Sequence, residues 1–198
     1  MLRKALLGLL CLPLTIVLAT AEVHGGAAAA CHKLAGLLTN VTVLPSQDRY
    51  SALSTENWCV FPWGAYVSML KLHRSGTAWA KPSCIVQPAA ASDIQQVVRL
   101  LTDRHVPFAV RSGGHLPSPL GANINDGVLI DMSMIKGVTY DAAINVAKVG
   151  AGQRWKTVYD TLDAHNVTVV GGRVVDVGVA GLTLGCKSVR CVFVVQEC

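Results

Sequence analysis

The stretch Phe108-Ala-Val-Arg-Ser-Gly-Gly-His115 is a short apolar strand that runs into a turn with two glycines and an imidazole. Gly113 and Gly114 allow positive φ angles and a close approach of the backbone to a ligand. Arg111, Ser112 and the free amides of the turn are donors suited to a phosphate group. By itself the stretch fits either a phosphate-binding loop beside His115 or an ordinary turn with a solvated histidine.

The residues before this stretch predict a strand and a helix. Lys81–Pro88 is a short apolar segment with prolines on both sides, which is typical of a strand. Apolar residues with helical spacing then predict an amphipathic helix over residues 93–105 with Ser92 as its N-cap, and these are Ile94, Val97, Val98 and Leu101. Strand, helix and strand form a βαβ unit with parallel strands. Because ligands of open α/β sheets bind at the carboxyl ends of strands, this context favours the phosphate-binding loop.

The residues after the turn predict further strands and glycine-rich turns. The strands are Gly127–Asp131, a hairpin of Gly137–Asp141 with Asn145–Gly150, and Asn166–Val170. A helix is predicted over Arg154–His165, and another over Cys31–Thr39, before a strand-like Val41–Leu44. Three glycine-bearing turns are expected to meet in one region. Gly150-Ala-Gly152-Gln-Arg-Trp155 lacks the third glycine of a G-x-G-x-x-G motif, which argues against a nicotinamide cofactor.

Composition limits the class of protein. The chain has 198 residues, of which 52% are hydrophobic and 15% charged, enough for one sizeable core or two small lobes. The net charge of +5 is spread along the chain, and no basic run alternates with aromatic residues. We therefore expect no nucleic-acid partner, whereas an anionic small molecule would be attracted.

The N-terminus is typical of a secretory signal peptide. Arg3 and Lys4 precede the apolar run Ala5–Leu18, and Ala19-Thr-Ala21 matches a small-x-small cleavage site. This pattern predicts a signal peptide over residues 1–21 and a secreted, extracellular protein. The alternative is an N-terminal membrane anchor, but an apolar core of about 14 residues is short for a span of about 20, so we expect no stable membrane span.

Sequons and cysteines fit an oxidising compartment. Asn40-Val-Thr42 and Asn166-Val-Thr168 are candidate N-glycosylation sites at Asn40 and Asn166. Cys11 falls in the signal peptide, which leaves six cysteines, at positions 31, 59, 84, 186, 191 and 198. These cysteines allow about fifteen complete pairings, and each can instead be a free thiol. None of the spacings resembles a zinc site, so no metal ion is expected.

Several motifs, in their order along the chain, resemble those of a known family. They are Pro88–Leu101, Arg111–His115, Gly127–Asp131, Val149–Gly152, Trp155, Gly171–Arg173 and Val177–Gly185. Together they are similar to the FAD-binding domain of the vanillyl-alcohol-oxidase and para-cresol-methylhydroxylase type. Within that type they most resemble the berberine-bridge-enzyme-like fungal FAD-linked oxidoreductases. The resemblance implies an α/β (α+β) fold, a two-lobed FAD-binding domain with mixed sheets and flanking helices.

The resemblance also implies a cofactor and its contacts. The cofactor is FAD, bonded covalently through His115 to the 8α-methyl group of the flavin. The pyrophosphate would lie along Arg111, Ser112, Gly113 and Gly114. Backbone would pack against the cofactor at Gly150, Gly152, Val177, Gly178 and Gly181. Some family members add a link through a cysteine before the Val-Gly-Val stretch, but Val174-Val-Asp176 has none, so attachment through His115 alone is expected. The family further implies a disulfide between Cys31 and Cys84.

Two stretches depart from the family pattern. Residues 59–76 are interpreted as an irregular insertion between an N-terminal helix and strand segment, 22–58, and the FAD-binding domain, 77–185. Residues 186–198 form a divergent tail where the family continues into a long substrate domain, which is expected to be missing here. Both stretches are consistent with a translated intron or a wrong gene boundary, which a sequenced transcript would test. No catalytic residue is assigned, because in the family such residues belong to the substrate domain.

The resemblance leaves two functions open. The first is a secreted FAD-dependent oxidoreductase, weakly active or inactive in truncated form, with a small-molecule substrate. It would take a hydride from an alcohol, sugar or secondary-metabolite carbon and pass the electrons to oxygen. The second is a non-catalytic flavin-binding fragment. A lectin-like module would explain secretion and disulfides but not the Arg-Ser-Gly-Gly-His turn. The oligomeric state is not predicted.

Overall fold

The described part of the chain folds into helices and three small sheets. A computed structural model describes residues 15–56, 78–116, 118, 121–185 and 195–197. The helices are α1 (Thr15–Leu37), α2 (Asp48–Ser54), α3 (Ala91–Asp103), α4 (Trp155–Asp163) and α5 (Val179–Gly185). The strands are β1 (Thr42–Val43), β2 (Cys84–Val86), β3 (Phe108–Arg111), β4 (Val128–Asp131), β5 (Val138–Asp141), β6 (Val146–Val149), β7 (Val167–Val169) and β8 (Val195–Glu197). This mixed α/β architecture agrees with the fold class expected from the sequence.

The largest sheet has the strand order β1-β2-β4-β3. β2 and β3 both pair in parallel with β4, and β1 is antiparallel to β2. The prediction of parallel strands joined by a helix is therefore correct, but β4 lies between β2 and β3. Burial explains this order: all four residues of β4 are buried, as a central strand covered on both faces requires. In β3, Phe108 and Val110 are exposed, which suits a strand at the sheet edge.

Helices cover both faces of this sheet. α1 and α3 pack on one face through a cluster that includes Leu34, Val97 and Leu101. On the other face, Tyr50 and Leu53 of α2 pack against a second cluster of buried sheet residues. A disulfide joins Cys31 in α1 to Cys84 in β2, the pairing that the resemblance implies.

A second lobe is built around α4. Trp155, Val158 and Leu162 lie on the buried face of this helix, as its periodicity predicts. They form one cluster with Val167 and Val169 of β7, and the β5–β6 hairpin packs against it. β8 pairs antiparallel with β7. The second lobe therefore has its own core, separate from the core clusters of the β1-β2-β4-β3 sheet.

Three local predictions differ from the structure. α1 begins well before the predicted Cys31, because the run Ala27–Ala30 consists of the residue with the highest helix propensity. The N-cap of α3 is Ala90 and not Ser92, since the Asp93 carboxylate accepts the backbone N–H groups of Ala89 and Ala90 at 3.0 Å. α2 follows the strand-like Val41–Leu44 closely and is not among the predicted helices.

Some predictions lie outside the described residues. These are the insertion 59–76, the first part of the predicted signal peptide, 1–14, and most of the divergent tail. In the part of the chain that the structure describes, no helix has the length and apolar character needed to cross a membrane.

Candidate functional site

The turn after β3 meets the turn before α5. A Cβ atom on Gly113 would lie 2.7 Å from the Cα atom of Gly178, and a Cβ on Gly178 would lie 2.7 Å from Gly113 Cα. Backbone contact this close excludes any side chain at either position. Gly114 has a φ angle of +64°, which an L-residue with a side chain rarely adopts. The two glycines of the Arg-Ser-Gly-Gly-His turn are therefore required for different reasons.

A third turn, Gly150–Gly152, adjoins the first. The Ser112 hydroxyl donates to the Ala151 carbonyl at 2.6 Å. A Cβ on Gly152 would lie 2.8 Å from the carbonyl carbon of Met132, in the short 3-10 helix that follows β4. The expected meeting of glycine turns is thus found among Ser112–Gly114, Gly150–Gly152 and Val177–Gly178.

The start of α4, directly after the Gly150–Gly152 turn, is hydrogen-bonded to the turn before α5. The N–H groups of Trp155 and Lys156 donate to the carbonyls of Val177 and Val175, at 3.2 and 2.8 Å. The Arg154 guanidinium donates to the Asp176 carbonyl. A helix N-terminus binds an anion through its free amides. Because these two amides are already used, α4 holds the 174–177 turn in place and does not offer them to a ligand.

A buried ion pair lies beneath the glycine turns. Arg111 and Asp131 end neighbouring parallel strands in register, and Arg111 Nη2 lies 3.0 Å from Asp131 Oδ2. Both side chains are 2% exposed. The Ser133 N–H donates to Asp131 Oδ1 at 3.0 Å, and Gln87 Nε2 donates to Asp131 Oδ2 at 3.1 Å. Within the described residues, Arg111 Nη1 is buried without a hydrogen-bond partner.

A polar cavity of about 430 Å³ adjoins this ion pair. Its cations are Arg111, Lys136 and Arg154, and its carboxylates are Asp131 and Glu56, which leaves one net positive charge. Ser112, Gly113 and Gly152 also line the cavity. A cavity of this composition suits an anionic group.

His115 is half-buried beside the turn. Burial lowers the pKa of its imidazole below the ordinary value, a backbone hydrogen bond opposes this shift, and the Arg154 guanidinium lowers the pKa further. The imidazole is therefore neutral at neutral pH. A neutral imidazole has a ring nitrogen with a lone pair, which is the form that bonds to carbon.

The diphosphate part of FAD is an anion of the kind that this cavity suits. The unpaired, buried Nη1 of Arg111 and the positive cavity match the negative charge of a diphosphate. The glycine turns let backbone approach a ligand without a side chain between them. We conclude that the donors present fit the diphosphate part of FAD.

Of the residues predicted to contact the cofactor, four line the cavity, namely Arg111, Ser112, Gly113 and Gly152, whereas six are not among its lining residues, namely Gly114, His115, Gly150, Val177, Gly178 and Gly181. Gly181 lies in α5, and a Cβ there would have no atom within 4 Å among the described residues. Sequence reasoning missed Asp131, Lys136 and Arg154. Asp131 carried a usable signal, because a lone carboxylate that ends an apolar strand needs a buried cation as its partner.

Comparison with known proteins assigns the region to a family. A family model described as "FAD binding domain" matches residues 82–195. The FAD-dependent monooxygenase prx3 of Penicillium roqueforti is 34% identical over 166 residues, which cover 83% of this chain and 29% of that protein. The chain spans 20% to 29% of the length of the curated relatives it matches.

Solved structures share the fold. Wild-type Physcomitrella patens BBE-like 1 has a TM-score of 0.54 and 28% identity, with 72% of this chain and 28% of that chain covered. Xylooligosaccharide oxidase from Myceliophthora thermophila C1, in complex with xylobiose, has a TM-score of 0.60 and 21% identity, with 80% and 30% covered. The second likeness is evidence for the fold alone.

We predict that Asp131→Asn is strongly destabilising. The change leaves the Arg111 charge buried without an anionic partner, which costs about 3–5 kcal/mol of the free energy of unfolding. Asp160→Asn is the matched control, because Asp160 is 62% exposed in its pair with Lys156 and such pairs contribute about 0.5 kcal/mol. Urea unfolding measures both variants. Equal losses in the two variants would contradict the importance of the buried pair.

We also predict opposite effects for alanine at two nearby glycines. In Gly178→Ala, the new Cβ would lie 2.8 Å from Ser112 Oγ as well as against the Gly113 backbone, so the turns must separate at a cost of about 1–3 kcal/mol. In Gly181→Ala, the Cβ meets no described atom, and the higher helix propensity of alanine stabilises α5 by up to about 1 kcal/mol. Thermal unfolding measures both, and an unchanged Gly178→Ala variant would rule out the close contact.

Proposed function

This chain belongs to the FAD-binding domain family, as its sequence motifs indicated, and we propose that it is the cofactor-binding part of an FAD-linked oxidoreductase. The supporting observation is the cavity beside Arg111, whose cations and glycine turns suit a diphosphate. Ser112, Gly113 and Gly152 would contact this group, with Gly150, Val177 and Gly178 holding the turns around it. FAD, when bound, takes a hydride from a substrate carbon and passes two electrons to oxygen.

The substrate is proposed to be a small molecule. The curated relatives include FAD-dependent monooxygenases, which supports the oxidative chemistry. The hydride donor is proposed to be an alcohol, sugar or secondary-metabolite carbon, as the family resemblance implies. In this proposal the described residues bind and orient the cofactor and do not supply the base that takes the substrate proton.

We further propose that His115 is bonded covalently to the flavin 8α-methyl group. The new C–N bond replaces a C–H bond of the methyl group, a two-electron oxidation for which oxygen is the final acceptor. Its neutral imidazole supports this role, because a protonated ring has no lone pair to form the bond. The Gly114 turn supports it as well, since it orders the backbone directly before the histidine.

The test is expression of the full chain in a secretory host, followed by acid precipitation. Flavin absorbance, between about 350 and 450 nm, should stay with the precipitated wild-type protein and disappear from the His115→Ala precipitate. His32→Ala, at an exposed position of α1, is the control and should keep its flavin. Colourless wild-type protein would refute the proposal, and flavin retained by His115→Ala would refute this attachment site.

The same chemistry predicts a pH dependence of attachment. The pKa of His115 is lowered, so the neutral form predominates above a value that lies below about 6.5. Refolded apoprotein mixed with FAD should attach it at a constant rate at and above neutral pH, and more slowly as the pH falls through that pKa. A rate that keeps rising above neutral pH would show that another group limits the reaction.

We propose that the protein is secreted, on the strength of the signal-peptide pattern and the disulfide. Protein recovered from the medium should begin near Glu22 and lose mass on treatment with an N-glycosidase. Asn40 and Asn166 are both exposed, so Asn40→Gln and Asn166→Gln should each remove one glycan. Asn145→Gln, at an exposed asparagine outside a sequon, should not change the mass of the glycans. Unglycosylated protein with its signal sequence intact would contradict secretion.

A further inference from the structure

Gln87 connects two charged groups beside the cavity. It follows β2 and is buried, with 6% of its surface exposed. Arg49 Nη2, from α2, donates to Gln87 Oε1 at 2.5 Å. Gln87 Nε2 donates to Asp131 Oδ2 and to Ser133 Oγ, both at 3.1 Å. The amide therefore spans the distance between a cation and an anion on different elements.

The direction of this amide is fixed by its neighbours. A guanidinium only donates hydrogen bonds and a carboxylate only accepts them. Oε1 must therefore face Arg49 and Nε2 must face Asp131. An apolar side chain can make neither bond.

The Asp131 carboxylate is oriented by three donors. Gln87 Nε2 and Arg111 Nη2 share Oδ2, and the Ser133 N–H occupies Oδ1. Arg111 makes one hydrogen bond to this carboxylate, from Nη2 to Oδ2. Its second terminal nitrogen, Nη1, stays buried without a partner among the described residues, and Arg111 lines the cavity.

We propose that Gln87 is a positioning residue for cofactor binding. It holds the Asp131 carboxylate so that Arg111 bonds to it through Nη2 alone and offers Nη1 to the diphosphate of FAD. This inference rests on the proposed function, because it assumes that FAD is the anion in the cavity. Gln87 itself does not line the cavity, so its effect on binding passes through Asp131 and Arg111.

A glutamate at this position makes the idea testable by pH. A protonated carboxyl group has a donor and an acceptor, as the amide does, whereas an ionised one can only accept. The charged groups that face position 87 are Arg49 from α2, Asp131 from β4 and Arg111 from β3. Arg49 favours ionisation of such a carboxyl and Asp131 opposes it. Ionised glutamate keeps the bond to Arg49 but repels Asp131.

The experiment measures FAD affinity in the full chain with His115→Ala, in which binding is reversible. Quenching of flavin fluorescence gives the dissociation constant at about pH 8 and about pH 4.5. Gln87→Met should bind FAD about tenfold more weakly than this parent at both pH values. Gln87→Glu should bind about tenfold more weakly at the higher pH and within about twofold of the parent at the lower pH. Gln96→Met and Gln96→Glu, at an exposed position of α3, are the controls and should match the parent.

The outcomes separate this inference from the function on which it rests. Parent-like affinity in both Gln87 variants overturns the positioning role and leaves the proposed function standing. An equal loss in Gln87→Glu at both pH values also overturns it, because a purely structural defect does not depend on the charge of the new carboxyl. If neither the parent nor wild type binds FAD, the proposed function fails and this inference fails with it. Circular dichroism at both pH values checks that each variant is folded. If Gln87→Met does not fold, the difference in FAD affinity of Gln87→Glu between the two pH values decides.

Discussion

The buried ion pair between Arg111 and Asp131 is the interaction on which the rest of the site depends. A charge buried in a protein interior is costly unless it is paired and hydrogen-bonded. Both side chains are 2% exposed, so neither can be satisfied by water instead. The pair is possible because β3 and β4 are parallel and in register, so that Arg111 and Asp131 lie side by side at their carboxyl ends. The pairing of β3 with β4 therefore brings together two of the charged side chains that line the cavity.

The glycine turns depend on the same strand ends. Ser112 and Gly113 follow Arg111 directly, so fixing the arginine fixes where the turn begins. From there the chain can reach His115 only by passing the Val177–Gly178 turn at backbone contact distance. The first backbone amides of α4 hold this second turn through hydrogen bonds. The two lobes thus meet through backbone, and the side chains that remain in the cavity wall are mostly charged or polar.

Local pattern was enough to predict part of this arrangement. The alternation in residues 137–150 predicts the β5–β6 hairpin, and the spacing of Val97 and Leu101 predicts α3, because each signal lies within one element. The position of β4 between β2 and β3 could not be predicted in this way, since it depends on contacts between segments far apart in the chain. The contact between Gln87 and Asp131 spans 44 residues and was missed for the same reason. α2 is only seven residues long, too short for periodicity to distinguish it from a turn.

Charge balance explains why the cavity is suited to a bound anion. Its three cations and two carboxylates leave a net charge of about +1, while a diphosphate within FAD carries about −2. Asp131 is paired with Arg111. The Arg154 guanidinium donates to a neutral carbonyl, and this bond does not neutralise its charge. An anion beside Arg154 would weaken the effect of that arginine on His115. Burial, the larger cause of the lowered pKa of His115, does not depend on the arginine.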